Sequence, residues 1–175
     1  MDLSILIWIN NHLVTPAGSS FFIFITNFWG FGIIYIPMSI FLLSKPSRRQ
    51  TGLIVVGALL IALIVVNLGI KPFFDRPRPF TSYPIDLVIP VPHGSSFPSS
   101  HTASVFAFAS AYFICEKNRL RWALLAFAGL VAFSRLYLFV HYPSDVISGI
   151  LIGISCAFFA SWLIKKIYPQ SAFKE

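Results

Sequence analysis

Long apolar runs recur along this chain, and they constrain its fold more than any other feature. Five of them, residues 21–43, 52–70, 101–115, 122–140 and 146–167, carry few charges. At about 1.5 Å rise per residue, about 20 residues cross a hydrocarbon core about 30 Å thick. The pattern predicts an all-α fold: a polytopic membrane helix bundle of five spans. The run 101–115 is short and needs help from its flanks or a locally thin position in the bundle. Residues 2–14 are too short to span. Leu3, Leu6, Ile9 and Leu13 recur there at helical spacing, which predicts a helix lying in the interface. A partial sixth span is the alternative. The whole chain, 1–175, reads as one membrane-embedded domain.

Composition agrees. Hydrophobic residues make up 57% of the chain, against thirteen Lys or Arg and six Asp or Glu. A soluble domain of this size needs more charge on its surface. The net charge of +7 does not point to nucleic acid, because the basic residues form short clusters between apolar runs and no long stripe. Cys115 and Cys156 both lie inside apolar runs, so two unpaired thiols acting as small hydrophobes are expected. The first fourteen residues hold no Lys or Arg. They lack the basic region of a signal peptide, and no cleavage is expected.

The basic clusters set the orientation. Lys45, Arg48 and Arg49 follow the first run, Lys117, Arg119 and Arg121 the third, and Lys165, Lys166 and Lys174 the fifth. In a five-span arrangement these share one face, which the positive-inside rule makes cytoplasmic. The N-terminus is then outside. Lys71, Arg76, Arg78 and Arg135 fall toward the other face, and topology does not explain them. Residues 71–100 form an outer loop with seven prolines, a length more typical of a functional loop than of a bare connector.

Three short segments at the outer ends of the spans carry candidate chemistry. The first runs from Lys71 to Arg78-Pro79, the second is Pro98-Ser99-Ser100-His101, and the third holds Ser134, Arg135, His141 and Asp145. Lys71, Arg78 and Arg135 converge on one face with little acidic compensation, which implies an anionic ligand. The planar fork of Arg matches phosphate oxygens in two places at once. Ser99 is a candidate N-cap; the N–H groups behind it form either an ordinary capped helix start or an anion site. Asp145 falls in the first turn of the last span. It either complements the helix dipole or orients His141, leaving one ring nitrogen free to attack. Asp75 and Arg76 can pair with each other. His93 reads as a solvated loop residue and His12 as interfacial. Trp8, Trp29, Trp122 and Trp162 read as interface anchors or packing.

Together the segments resemble the motifs of the type 2 phosphatidic acid phosphatase superfamily: Lys-x6-Arg-Pro, Pro-Ser-Gly-His and Ser-Arg-x5-His-x3-Asp. The first and third match fully. In the second, Ser100 stands where the family has Gly. The resemblance implies a membrane lipid phosphatase that needs no cofactor and no metal; no carboxylate cluster able to hold Mg²⁺ is evident in the sequence. It implies that His141 attacks phosphorus, that Asp145 orients it, and that His101 protonates the leaving oxygen and then activates water. It further implies that Lys71, Arg78, Arg135 and the backbone N–H groups of Ser99 and Ser100 hold the phosphate oxygens.

Several readings of function remain at this level. The small size and outward site look like bacterial undecaprenyl pyrophosphate phosphatases of the family. Phosphatidylglycerophosphate, phosphatidate and lipid A phosphatases are the alternatives. The motifs are also similar to those of soluble haloperoxidases, a reading the apolar spans disfavour. A non-enzymatic lipid-phosphate binder or transporter would not require His101, His141 and Asp145 together. The expected partners are the lipid bilayer and a lipid phosphate, in a multi-pass protein of the cell membrane with its site facing outside the cytoplasm.

Overall fold

The computed structural model describes residues 1–30 and 32–169. Helix α1, Asp2–Leu13, is followed by α2, Pro16–Gly30, and α3, Tyr35–Ser44. Helix α4, Arg49–Leu63, continues as a π-helix, Ile64–Ile70, and then as the single turn α5, Lys71–Phe74. The short α6, Pro79–Ser82, interrupts an irregular loop. Helices α7, Ser100–Cys115, α8, Leu120–Tyr137, and α9, Pro143–Ile167, complete the bundle.

Among the described residues, four helical runs are long and apolar enough to cross a membrane: Pro16–Ser44, Pro46–Ser82, Leu120–Tyr137 and Pro143–Ile167. The apolar α7, with 16 residues, corresponds to the short third run of the sequence pattern and is shorter than the other four. Two of the expected spans differ in detail. The first begins at Pro16 rather than residue 21, and it is not one continuous helix. Gly32 takes a left-handed φ of +75°, and a Cβ there would lie 2.4 Å from the Ile36 side chain. The chain turns at this point, and Pro37 falls in the first turn of α3, where the missing N–H costs nothing. The second span is not uniformly α-helical: its last seven residues widen into the π-segment, a feature often found beside functional sites.

Packing is inverted relative to a water-soluble protein. Small side chains such as Ala58, Ala62, Ala107, Ala128, Ala157 and Ala160 are buried between helices, while Phe24, Leu60, Leu68, Leu151, Phe158 and Trp162 are exposed. Lipid solvates the large apolar groups as well as a neighbouring helix would, so small residues that permit close approach take the interfaces. Helix α7 occupies the centre, packed against α4, α8 and α9. A Cβ on Gly149 would lie 2.8 Å from the Ser99 carbonyl oxygen, and one on Gly153 2.4 Å from that of Ala103. Only glycine lets α9 sit this close to α7. Trp29 fills the core against Phe108 and donates to Ser104 Oγ at 3.0 Å, whereas Trp8, Trp122 and Trp162 are exposed. Cys115 and Cys156 are free thiols.

Hydrogen bonds identify which helix ends lie together. Gln50 Nε2 donates to the Tyr168 carbonyl at 2.7 Å and Thr51 Oγ1 to Glu116 Oε1 at 3.0 Å. The start of α4 and the ends of α7 and α9 therefore share one end of the bundle, with the basic clusters beside them; Lys174 lies outside the described residues. At the opposite end, the Thr15 N–H donates to Tyr137 Oη at 2.8 Å. This end gathers α1, the loop between α5 and α7, the end of α8 and the start of α9. It also gathers the three motifs.

Candidate active site

The third motif folds into a hook. After α8, Phe139 adopts a left-handed φ of 57°. The Arg135 carbonyl accepts the N–H groups of both Val140 and His141, at 3.2 and 3.3 Å. Arg135 and His141 thus belong to one hydrogen-bonded turn. Pro143 opens α9, and Asp145 Oδ2 accepts the Tyr142 N–H at 2.9 Å. The same oxygen faces His141 Nδ1 at 3.6 Å. Both readings of Asp145 left open by the sequence meet in one carboxylate: it caps the helix and it faces the imidazole. Ser96 completes the arrangement. Its hydroxyl donates to Asp145 Oδ2 at 2.5 Å and lies 3.5 Å from His141 Nδ1.

His141 and Asp145 are both buried. Burial above all pushes the His141 imidazole down to about 4; Asp145 works in the opposite direction, and Arg135 and Arg78 add to the lowering. His141 is therefore neutral at pH 7. Arg78 Nη1 approaches its Nε2 at 3.4 Å. A guanidinium can only donate, so Nε2 carries the lone pair and Nδ1 the proton that faces Asp145 and Ser96.

The cations surround this imidazole. Arg78 is buried and held by the carbonyls of Val140, Gly94 and His93, at 3.0, 3.1 and 3.2 Å. Arg135 is 5% exposed; its Nη1 donates to Thr26 Oγ1, and its Nε has no partner among the described residues. A buried donor without a partner is costly, and this one fits an anion. Lys71, in the first turn of α5, forms no salt bridge among the described residues. His101 is the second residue of α7, within electrostatic range of Arg135, His141, Lys71 and Arg78. A Cβ on Gly30 would lie 3.3 Å from His101 Nε2, so the glycine leaves room for the ring. His101 and Ser100 stand at one end of an apolar cavity of about 520 Å³, which runs between α3 and α4 past Tyr35, Leu59 and Leu63.

The structure thus brings Lys71, Arg78, His101, Arg135, His141 and Asp145 together. Two expectations are corrected. The Ser99 N–H is not available to a ligand, because it donates to the Asp145 carbonyl at 3.1 Å; Ser99 is buried between α7 and α9. Ser100 opens α7, and its side chain turns aside to donate to Asn67 Oδ1 at 2.9 Å. Nor does Arg76 pair with Asp75. Its Nη1 donates to Asp145 Oδ1 at 2.6 Å and its Nη2 to Asp2 Oδ2 at 3.0 Å. Asp75, left-handed at φ 30°, is exposed. Arg76, Ser96 and Asp2 escaped the sequence reading. The available signal was charge: Arg76 was one of four cations that topology left unexplained.

The sequence pattern of the PAP2 superfamily matches residues 51–169. The chain belongs to that superfamily. Similar PAP2 proteins include the undecaprenyl-diphosphatase BcrC of Bacillus subtilis, 30% identical over 79% of this chain and 71% of the relative. The lipid A 4'-phosphatase of Porphyromonas gingivalis is 29% identical over 90% and 69%. Among solved structures, Aquifex aeolicus LpxE superposes with a TM-score of 0.80 at 32% identity, covering 91% of this chain and 93% of that one. A PAP2 type phosphatidylglycerolphosphate phosphatase of Bacillus subtilis shares the fold at a TM-score of 0.77 and 20% identity, covering 96% and 86%. This PAP2 protein is accordingly a multi-pass membrane hydrolase, a lipid phosphatase by family.

Proposed function

We propose that the protein removes phosphate from undecaprenyl pyrophosphate at the outer face of the cell membrane, through a phosphohistidine on His141. The observation that carries this reading is a neutral, buried imidazole set among cations, one of which, Arg135, keeps an unpartnered donor. Phosphate binds through Lys71, Arg78, Arg135 and the free first-turn N–H groups of α7. In the first step a bond forms between His141 Nε2 and phosphorus, and the bond to the leaving oxygen breaks. His101 gives that oxygen its proton. In the second step water attacks the phosphohistidine while His101 takes a proton, and inorganic phosphate and free His141 result. Asp145 and Ser96 hold the Nδ1 proton throughout. Catalysis rests on positioning and on fixed positive charge, which supports a metal-free reaction.

The apolar cavity beside His101 supports a lipid leaving group. The named activity of the BcrC relative supports a polyprenyl pyrophosphate. The second reading, a lipid A phosphate, is favoured by the likeness to the lipid A 4'-phosphatase of Porphyromonas gingivalis over 90% of this chain. Purified protein assayed for phosphate release from undecaprenyl pyrophosphate, lipid A, phosphatidylglycerophosphate and phosphatidate separates these. Turnover fastest on undecaprenyl pyrophosphate is expected, and a preference for lipid A replaces it with the second reading. Quenched reactions with labelled substrate should yield an acid-labile phosphoenzyme that the His141→Ala variant lacks. Label on His101 in that variant reverses the two histidines.

A further inference from the structure

Asp2 stands far from the motifs in sequence, yet it is bonded into the site. Its Oδ2 accepts Arg76 Nη2 at 3.0 Å and also the Ser144 hydroxyl. Arg76 Nη1 in turn donates to Asp145 Oδ1 at 2.6 Å and to Ser144 Oγ at 2.7 Å. One guanidinium therefore bridges two carboxylates, one from α1 and one from α9. The bridge is braced on its other sides. The Arg76 guanidinium lies over the Tyr142 ring, 4.1 Å from its centroid. Its main chain is fixed by the Ser95 hydroxyl at 3.1 Å and by the Ser96 N–H at 2.8 Å. Beyond Asp2, Leu6 of α1 is fully buried against Phe139 and Tyr142, which flank His141.

We propose that Asp2 is a positioning residue for the nucleophile, acting through Arg76 and Ser144 on Asp145. This rests on the reading of His141 and Asp145 given above. Asp145 has two oxygens and serves two purposes. Oδ2 faces His141, Ser96 and the Tyr142 N–H; Oδ1 is held by Arg76. With Asp2 in place, the fork of Arg76 is anchored at both nitrogens, and the carboxylate plane of Asp145 is fixed at its outer edge. Without it, Arg76 keeps one free nitrogen at the partly exposed edge of the site, where the long side chain can swing toward water or headgroups. Asp145 then loses its fixed rotamer, and His141 loses alignment with the phosphorus. The charge matters as well. Asp2 offsets the positive charge of Arg76, so that Asp145 is not drawn wholly to Arg76 and away from the Nδ1 proton. Helix α1 is thereby a part of the catalytic apparatus, although it contributes no group that touches substrate.

The test is steady-state kinetics in detergent, with farnesyl pyrophosphate and dioctanoyl phosphatidate as soluble probes, using whichever the wild type turns over faster. Asp2→Asn should lower kcat about tenfold and leave KM within about twofold, as expected for misalignment rather than lost binding. Asp2→Glu should recover at least half of the lost rate. In an Arg76→Met background, Asp2→Asn should cost less than about twofold more, since the two act as one unit. Wild-type kcat in Asp2→Asn overturns the proposal, as does a loss confined to KM or a full tenfold loss in the Arg76→Met background. If Asp2→Asn does not fold, Asp2→Ser takes its place in both backgrounds and is read by the same outcomes. Asp145→Asn, run alongside, separates the two levels: wild-type kcat there overturns the reading of the site itself. A large loss there with none in Asp2→Asn overturns only the role of Asp2.

Discussion

Arg78 Nη1 faces His141 Nε2, the ring nitrogen turned away from Asp145, at 3.4 Å. The contact fixes the tautomer of the imidazole from one side, while Asp145 and Ser96 receive the other nitrogen from behind. On the proposed reading, a substrate phosphate draws Arg78 onto its own oxygens as Nε2 meets phosphorus. In that proposal the cation that faces the ring is also the one that receives the substrate phosphate.

Protonation of His141 has a definite pH signature. Its ordinary value near 6.5 is pushed down to about 4 by burial. The unfolded chain therefore takes up a proton near 6.5 that the folded protein refuses until about 4. The stability that depends on this group is fully present above 6.5 and is lost as pH falls toward 4. Thermal melts in detergent between these limits should fall more steeply in the wild type than in His141→Gln. Parallel curves for the two proteins would contradict the burial of a neutral imidazole.

The Ser100 N–H can be removed without removing the helix. Proline is well tolerated at the first position of a helix, and Ser99 already has the extended backbone, φ −72° and ψ 109°, that a following proline requires. Ser100→Pro should lower kcat/KM by roughly a hundredfold, the scale of losing one donor to a developing anion. Ser100→Ala loses the same hydroxyl contact to Asn67 but keeps the N–H, and should lose far less. Equal losses in the two variants would assign the effect to Asn67 and not to phosphate binding.

Metal removal and vanadate probe the cationic cradle. Phosphate release should persist in excess EDTA. Vanadate, a mimic of pentacoordinate phosphorus, should inhibit and should raise the melting temperature through preferential binding to the folded state. Arg135→Gln should abolish that rise. Activity lost in EDTA and restored by Mg²⁺ would refute the metal-free reaction.

Close approach of α7 and α9 is a stability prediction. Gly153→Val should destabilise the protein by about 1–3 kcal/mol or more, as overpacking does, because the new Cβ would meet the Ala103 carbonyl at 2.4 Å. Gly129→Ala is the contrasting case: nothing lies within 4 Å of its added carbon, and a helix gains from the change. Its melting temperature should hold or rise.

Orientation is accessible to labelling. Ser82 lies at the end of α6, exposed, on the loop that carries Arg78. An introduced Ser82→Cys should react with an impermeant maleimide on intact cells. Reaction only after permeabilisation would turn the bundle over and place the site in the cytoplasm.

What was legible in the sequence follows from locality. His141 and Asp145 lie one helical turn apart, and Ser134 and Arg135 sit on the preceding span, so spacing alone relates them. Lys71 and Arg78 likewise fall within one short segment. The bridge from Asp2 through Arg76 to Asp145 was not legible, because it joins three segments that only tertiary packing brings together. The bend at Gly32 was hidden for a different reason: apolar composition measures the length of a span and is blind to a single left-handed residue. A helix start offers free donors in general, which points the Ser99 N–H at a ligand. Here the glycines of α9 bring the Asp145 carbonyl close enough to take that one.

The hook at the end of α8 also divides the protein into two working halves. The Arg135 carbonyl holds the His141 N–H, and Asp145 follows four residues on, so on the proposed reading the attacking ring, its orienting carboxylate and one phosphate-binding arginine travel together as one piece. The apolar cavity is walled instead by α3 and α4, which contribute neither the attacking ring nor the buried arginines. Side chains along that wall are therefore free to change with the shape of the lipid while the attack geometry stays the same. One chemistry can serve lipids as different as a polyprenyl chain and a glycolipid on this plan.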